Sequence, residues 1–227
     1  MSNTRKDLLK LEDEMNQKFI NRRSEIRGLM VSMLARGNMV LLGQAGTAKT
    51  DLVQTLARAI KCDCFETLLT RTSSPEELFG AYDIAKLQEG RYVRNVENTL
   101  ATADFAFVDE VFKCNSATLN GLLGVMAQRT FRNGNALPTP IPLQLLVGAS
   151  NEMPEGGAEG ELSALWDRFE MRFVVDYIKD EGSFIKLLNI SGNLEPKTQV
   201  DMSDIIKAQG EVKSVNFSGA EQLLVSI

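Results

Sequence analysis

The stretch MVLLGQAGTAKTD, residues 39–51, decides the fold of this chain. Its apolar first part is typical of a buried strand, and a glycine-containing loop then leads into a helix. In such a loop, backbone N–H groups surround phosphate oxygens, a lysine neutralises charge and a hydroxyl holds Mg²⁺. The sequence therefore predicts a phosphate site made by Gly43, Gln44, Ala45, Gly46, Thr47, Ala48, Lys49, Thr50 and Asp51.

One residue of this loop departs from the usual pattern. Ala48 stands where a second glycine normally precedes the lysine, although a small side chain still fits there. The alternative interpretation is a strand–turn–helix unit in which Lys49-Thr50 occurs by chance.

A second apolar strand, residues 105–108, ends in Asp109 and Glu110. In a nucleoside triphosphatase, the first carboxylate holds Mg²⁺ through water and the second polarises the attacking water. Two acids at the end of a strand are common in themselves. The combination with the phosphate loop favours the catalytic interpretation.

The composition limits the function classes. The 227 residues carry 44% hydrophobic and 24% charged residues, as in an ordinary globular protein. The net charge of −5 does not favour binding to nucleic acid or an anionic membrane. The absence of histidine excludes Ser-His and Cys-His catalysis. The sequence has no uncharged apolar run long enough for a membrane span, and no signal peptide is evident. Cys62, Cys64 and Cys114 fit a reducing compartment without a metal site, so we expect a cytoplasmic protein.

Strands and helices alternate along the middle of the chain. The patterns predict strands near 39–42, 64–69, 105–109, 143–150 and 173–175, with one continuous helix over 5–34 before them. This order predicts an α/β domain with a largely parallel sheet flanked by helices, in which ligands bind at the carboxyl ends of the strands. Gly43, Asp109 and Asn151 all follow strand ends. We divide the chain into an N-terminal helical region (1–38), a nucleotide-binding core (39–176) and a helical C-terminal region (177–227).

In combination, these elements resemble an AAA+ ATPase of the MoxR family, most closely its RavA branch. The resemblance covers roughly residues 20–190, and alanine before the lysine is normal in that family. The fold it implies is a P-loop NTPase. The matching segments are GQAGTAKT (43–50), TRTSSPEELFG (70–80), EGRY (89–92), DE (109–110), LNGLL (119–123), RTFRNG (129–134), ASNEMP (149–154) and ALWDRF (164–169).

The resemblance implies a role for each matching residue. ATP and Mg²⁺ would be the cofactors, with Thr50 and Asp109 holding the metal. Glu110 would activate water, and Asn151 would orient it. Arg168 would be an arginine finger that reaches the ATP of a neighbouring subunit, a contact worth about 10³–10⁵ in rate in related enzymes. The alternative interpretation of Arg168 is an arginine at a helix end that pairs with Asp167 or Glu170.

The C-terminal region departs from the family pattern. A partial helical lid would begin near Asp176, and we expect it to be either truncated or naturally reduced at Ile227. No arginine follows Arg172, so the sensor 2 arginine of the lid is missing or replaced by a lysine such as Lys207 or Lys213.

The resemblance implies a ring, expected to be a hexamer, that remodels a partner protein, and von Willebrand A domain proteins are the expected partner class. One alternative is a nucleotide-binding switch or scaffold with little turnover. Another is a DNA-acting motor with Arg129, Arg132 and Asn133 on a hairpin, although the acidic chain disfavours nucleic acid. A membrane role is not expected, because the N-terminal helix mixes acids and bases on its polar positions.

Overall fold

The computed structural model describes residues 3–153, 162–190 and 194–214. The strands are β1 (Asn38–Leu42), β2 (Ile60–Lys61), β3 (Cys64–Leu68), β4 (Phe105–Asp109), β5 (Thr130–Phe131), β6 (Thr139–Pro140), β7 (Leu145–Ser150), β8 (Met171–Val174) and β9 (Val200–Asp201). The helices are α1 (Asn3–Lys18), α2 (Arg23–Ala35), α3 (Lys49–Ala59), α4 (Pro75–Phe79), α5 (Ile84–Gln88), α6 (Ser116–Gln128), α7 (Ser163–Trp166), α8 (Glu181–Leu188) and α9 (Met202–Lys213).

Five strands form one parallel sheet in the order β3-β4-β7-β1-β8. Strand β1 lies between β7 and β8, with Met39 opposite Val147 on one side and Met171 on the other. Because all five strands run in the same direction, the loops after β1, β4 and β7 emerge at one edge of the sheet. That edge is where parallel sheets place their ligand sites.

Helices cover both faces of this sheet, as a parallel sheet requires. Successive strand residues alternate between two cores: Met39 and Leu41 pack with α1, α2, α3 and α9, whereas Val40 and Leu42 pack with α4, α6 and α7. The large side chains Phe105 and Phe107 are fully buried in the first core. The predicted α/β fold with a parallel sheet flanked by helices is confirmed.

The prediction of one helix over residues 5–34 is wrong. The helix is interrupted between Lys18 and Arg23, where Asn21 adopts a left-handed backbone conformation with φ 57°. The apolar spacing carries across this break because α1 and α2 both pack their apolar faces into the same core. Helix α5 was not predicted, and residues 215–227 of the predicted helical C-terminal region lie outside the described residues.

Two smaller pairings complete the fold. Strands β5 and β6 form an antiparallel hairpin, and the segment between them contains Arg132 and Asn133, which the DNA-acting alternative placed on a hairpin. Strand β9 pairs in parallel with β2, and α9 then packs against α1 and α2. The predicted boundaries of the three regions are not tested by these contacts. Among the helices described, none is long and apolar enough to cross a membrane.

Candidate nucleotide-binding site

The structure brings most of the predicted site residues around one cavity. It has a volume of about 280 Å³ and lies at the carboxyl edge of the sheet. The ends of β4 and β7 meet the start of α3 there, so residues more than 100 positions apart in sequence become neighbours. The cavity is lined by Ala45, Gly46, Thr47, Ala48, Lys49, Thr50, Asp51, Asp109, Glu110 and Asn151.

The backbone of the phosphate loop explains its glycines. A side chain at Gly43 would place Cβ 2.2 Å from the carbonyl oxygen of Val175, the residue after β8, so the backbone there approaches too closely for any other residue. Gly46 and Ala48 both lie in the left-handed region, with φ of 80° and 66°. Glycine adopts this conformation freely, whereas alanine does so at a cost. The departure from the usual pattern therefore falls at a strained position.

Lys49 is buried at the centre of the site. Its ammonium donates to the carbonyls of Gly43 and Gln44, the latter at 3.0 Å, and to Asn151 Oδ1 at 3.1 Å. Burial lowers the pKa of Lys49, and the charges of Asp109 and Glu110 oppose that shift. A lysine amine held by carbonyls beside two carboxylates is ready to exchange these contacts for a phosphate.

The two carboxylates of β4 have different surroundings. Asp109 is half-buried and accepts the backbone N–H of Glu110 at 2.9 Å. Glu110 is buried, with φ 51°, and a 3-10 turn (Val111–Lys113) begins directly after it. Asn151 donates its side-chain Nδ2 to Glu110 Oε1 at 2.6 Å. Asn151 thus contacts both Lys49 and Glu110, which joins the phosphate loop to the end of β4.

The residues present fit a hard cation such as Mg²⁺. The Thr50 hydroxyl and the Asp109 carboxylate line the same cavity as the phosphate loop. Oxygen donors of this kind, few in number and beside a phosphate site, are the ones that Mg²⁺ prefers. When bound there, the metal would neutralise charge on the phosphates.

A second cavity, of about 350 Å³, adjoins the phosphate loop through Gly46, Thr47 and Ala48. Its other walls come from the end of α1, the residues after β8, and α8. Most of these side chains are apolar or aromatic. They are Lys18, Phe19, Ile20, Arg22, Tyr177, Ile178, Phe184 and Leu187. An apolar cavity beside a phosphate loop suits the base and sugar of a nucleotide.

Arg22 is a site residue that the sequence reasoning missed. Its buried guanidinium donates to the Asp176 carbonyl at 2.6 Å and to the Thr47 carbonyl at 3.4 Å, which ties the phosphate loop to the end of β8. Tyr177, from the same segment, donates its hydroxyl to the Ala45 carbonyl at 2.7 Å. The sequence contains no signal for Arg22, because it stands among polar and charged residues and the next residue is also an arginine. The interruption between α1 and α2, where Arg22 lies, was also not predicted.

Arg168 does not join the other site residues. It precedes β8, and its carbonyl accepts the Asn38 side chain at 2.9 Å, at the opposite end of β1 from the phosphate loop. The four steps along β1 separate these ends by about 13 Å. Arg168 Nη1 donates to the Ala164 carbonyl at 2.8 Å, and its buried Nε has no hydrogen-bond partner within the described parts of the chain.

The acidic neighbours offered as alternative partners of Arg168 are engaged elsewhere. Asp167 lies 3.9 Å from Arg172, and the Glu170 carboxylate accepts the Asn38 backbone N–H at 2.6 Å. Arg172 also stacks on Trp166, with its guanidinium carbon 4.5 Å from the ring centroid. The ion pair with Asp167 or Glu170 that would have accounted for Arg168 is not present among the described contacts.

Comparison with known proteins identifies the family. The model of the MoxR domain in MoxR-vWA-beta-propeller ternary systems matches residues 6–215. The chain therefore belongs to the MoxR family of AAA+ ATPases.

Particular relatives extend this result. Two uncharacterized proteins of Methanocaldococcus jannaschii, MJ0812 and MJ0079, are 40% and 39% identical over 97% and 100% of this chain, and 58% and 59% of their own lengths. The chaperone MoxR1 of Mycobacterium tuberculosis is 25% identical over 85% of this chain and 50% of its own length. The chain thus spans between half and three-fifths of these relatives.

A solved structure shows the same fold. The crystal structure of a provisionally described ATPase from Cytophaga hutchinsonii superimposes with a TM-score of 0.73, at 22% identity, over 94% of this chain and 64% of that one.

Proposed function

We propose that this chain is a Mg²⁺-dependent ATPase that binds and hydrolyses ATP, assembles into a ring and remodels a partner protein. One observation carries the proposal: the phosphate loop, Asp109, Glu110 and Asn151 line a single cavity. The adjoining apolar cavity supplies room for a nucleoside.

Each residue has a defined part in the proposed reaction. The loop and Lys49 bind the phosphates, and Thr50 with Asp109 would hold Mg²⁺. Glu110 orients the attacking water through one carboxylate oxygen. Asn151 positions that carboxylate through Nδ2, and its Oδ1 becomes free for the water when Lys49 turns to a phosphate.

The position of Arg168 supports catalysis across a subunit boundary. About 13 Å of strand separates it from its own phosphate loop, so it serves a site only if that site belongs to another copy. The finger also supports a ring, since a head-to-tail contact repeated around an axis closes one. We infer a hexamer by family analogy, and the finer assignment to the RavA branch and to the cytoplasm is part of the same proposal.

A von Willebrand A domain protein is the proposed partner. Support comes from the description of the matching family, which names ternary systems that include such proteins. A DNA-acting role has less support, because two of the three hairpin residues are engaged inside the chain. Arg129 donates to the carbonyls of Arg36 and Gly37, and Asn133 bonds the backbone of Arg94.

The test compares ATP binding and turnover in matched variants. We expect Glu110→Gln to bind ATP as the unchanged protein does and to lose turnover by at least about 10²-fold, the usual share of a positioned base. Glu97→Gln, an exposed acid, is the control. Full turnover in Glu110→Gln would refute the proposal. Binding without turnover in the unchanged protein, at every concentration, would support a switch or scaffold.

Mixing two inactive variants tests the finger. An equimolar mixture of Glu110→Gln and Arg168→Ala contains complete sites at about a quarter of the interfaces of a random ring. We expect turnover to return in the mixture. A mixture as inactive as its components would show that Arg168 does not act between subunits.

A further inference from the structure

We infer that Lys113 is a positioning residue that holds the Glu110 carboxylate in its working orientation. This inference rests on the proposed hydrolysis of ATP and names a further residue for it. Lys113 lies outside the cavity that contains the phosphate loop, and its ammonium is 3.3 Å from Glu110 Oε2.

The geometry follows from the unusual backbone after β4. Glu110 adopts a left-handed conformation and starts the 3-10 turn, in which the Lys113 N–H donates to the Glu110 carbonyl at 2.8 Å. Residues i and i+3 lie one above the other in such a turn. The turn therefore brings the lysine side chain back over the carboxylate that precedes it.

The two oxygens of Glu110 then have different partners. Oε1 accepts the Asn151 amide at 2.6 Å and thereby faces the phosphate loop. Oε2 is buried and accepts no hydrogen bond among the described residues, since the approach of Lys113 has the distance of an ion pair without hydrogen-bond geometry. A buried charged oxygen without a compensating charge is costly. Lys113 supplies that charge from the side away from the nucleotide.

These contacts form a continuous chain, Lys49–Asn151–Glu110–Lys113. When a phosphate draws Lys49 away, Asn151 loses one of its two contacts and is less able to fix the carboxylate alone. Lys113 is then the second point that prevents rotation of the carboxylate. A base that is held in place contributes more to catalysis than one that rotates, because misplacement by about 1 Å can cost 10²-fold in rate.

Lys113→Met tests this role, and the chain offers a matched control. Lys86 also pairs with a carboxylate three residues earlier, at 3.6 Å from Asp83, and both lysine side chains are 44% exposed. We expect Lys113→Met to lower kcat by about tenfold or more while the ATP Kd stays within about twofold. Lys113→Arg should restore most of kcat, and Lys86→Met should leave both quantities unchanged.

A structural readout separates positioning from a general loss of activity. In a crystal structure of nucleotide-free Lys113→Met, we expect the Glu110 carboxylate to leave its contact with Asn151 or to occupy more than one rotamer. A single unchanged rotamer together with unchanged kcat would overturn the inference. A rise in kcat would also overturn it, because Lys113 would then restrain the base. If Glu110→Gln retains turnover, the proposed function itself fails, whatever Lys113→Met does.

Discussion

Replacing Ala48 by glycine should stabilise the protein, contrary to the usual effect of glycine in the interior of a helix. Ala48 has φ 66° and ψ 22°, immediately before α3 begins at Lys49. A left-handed backbone costs an L-residue about 1–2 kcal/mol. Glycine removes this cost but adds about 0.5–1 kcal/mol of unfolded-state entropy. Ala48 is exposed, so its methyl group contributes little packing. The expected net gain is about 0.5–1 kcal/mol.

Urea unfolding of the nucleotide-free protein measures this gain, and the melting temperature should rise by about 1–4 °C for a chain of this size. Ala57→Gly, within the same helix, is the control. Ala57 has helical neighbours on both sides and packs against the core, so glycine there should destabilise by about 1 kcal/mol or more. The two substitutions should thus have opposite signs. Equal destabilisation by both would refute the argument from backbone strain.

Three further predictions concern the buried Arg22 and the partly buried Cys62. Arg22→Met should lower the free energy of unfolding by about 2–3 kcal/mol and weaken ATP binding, because the carbonyls of Thr47 and Asp176 lose a charged donor. Arg23 is exposed, so Arg23→Met should change neither the free energy of unfolding in urea nor the Kd for ATP. Burial raises the pKa of the Cys62 thiol from 9.0 to about 12. Iodoacetamide at pH 8 should therefore label Cys62 at least about 10²-fold more slowly in the folded protein than in urea. Equal labelling rates would contradict the raised pKa. The Cys62 thiol ionises at lower pH in the unfolded chain than in the folded protein. The free energy of unfolding should therefore fall as the pH rises from 9.0 towards 12.

Much of the fold followed from local patterns. The strands of the main sheet were predicted close to their observed bounds because each is a short apolar run between turn or loop residues. The break between α1 and α2 was missed because both helices keep helical apolar spacing, and such spacing does not show that the helix is interrupted at residues 19–22. Helix α5 was missed for the opposite reason, since none of its five residues is buried and its pattern is weak.

The residues of the candidate site also divide into those that the sequence could identify and those that it could not. The phosphate loop, Asp109 and Glu110 could be found from sequence because each motif is contiguous and its residue types match its chemistry. Asn151 was found from the sequence only as a residue that follows a strand end, and its role, like that of Arg168, entered through the resemblance to the family. The structure then places Asn151 against Lys49 and Glu110, and it places Arg168 at the other end of β1.

By itself, the sequence determined the class of the protein: a strand, a phosphate loop and a helix, followed by a second strand that ends in two acids. It could do so because these features depend on neighbouring residues and on the dihedral angles and side chains they supply. The tertiary structure alone decided the contacts of Arg22 with Asp176, of Asn151 with Lys49 and Glu110, and of α9 with the N-terminal helices. Arg22 and Asp176 are 154 positions apart, and such contacts arise only when the whole sheet forms and brings distant segments together.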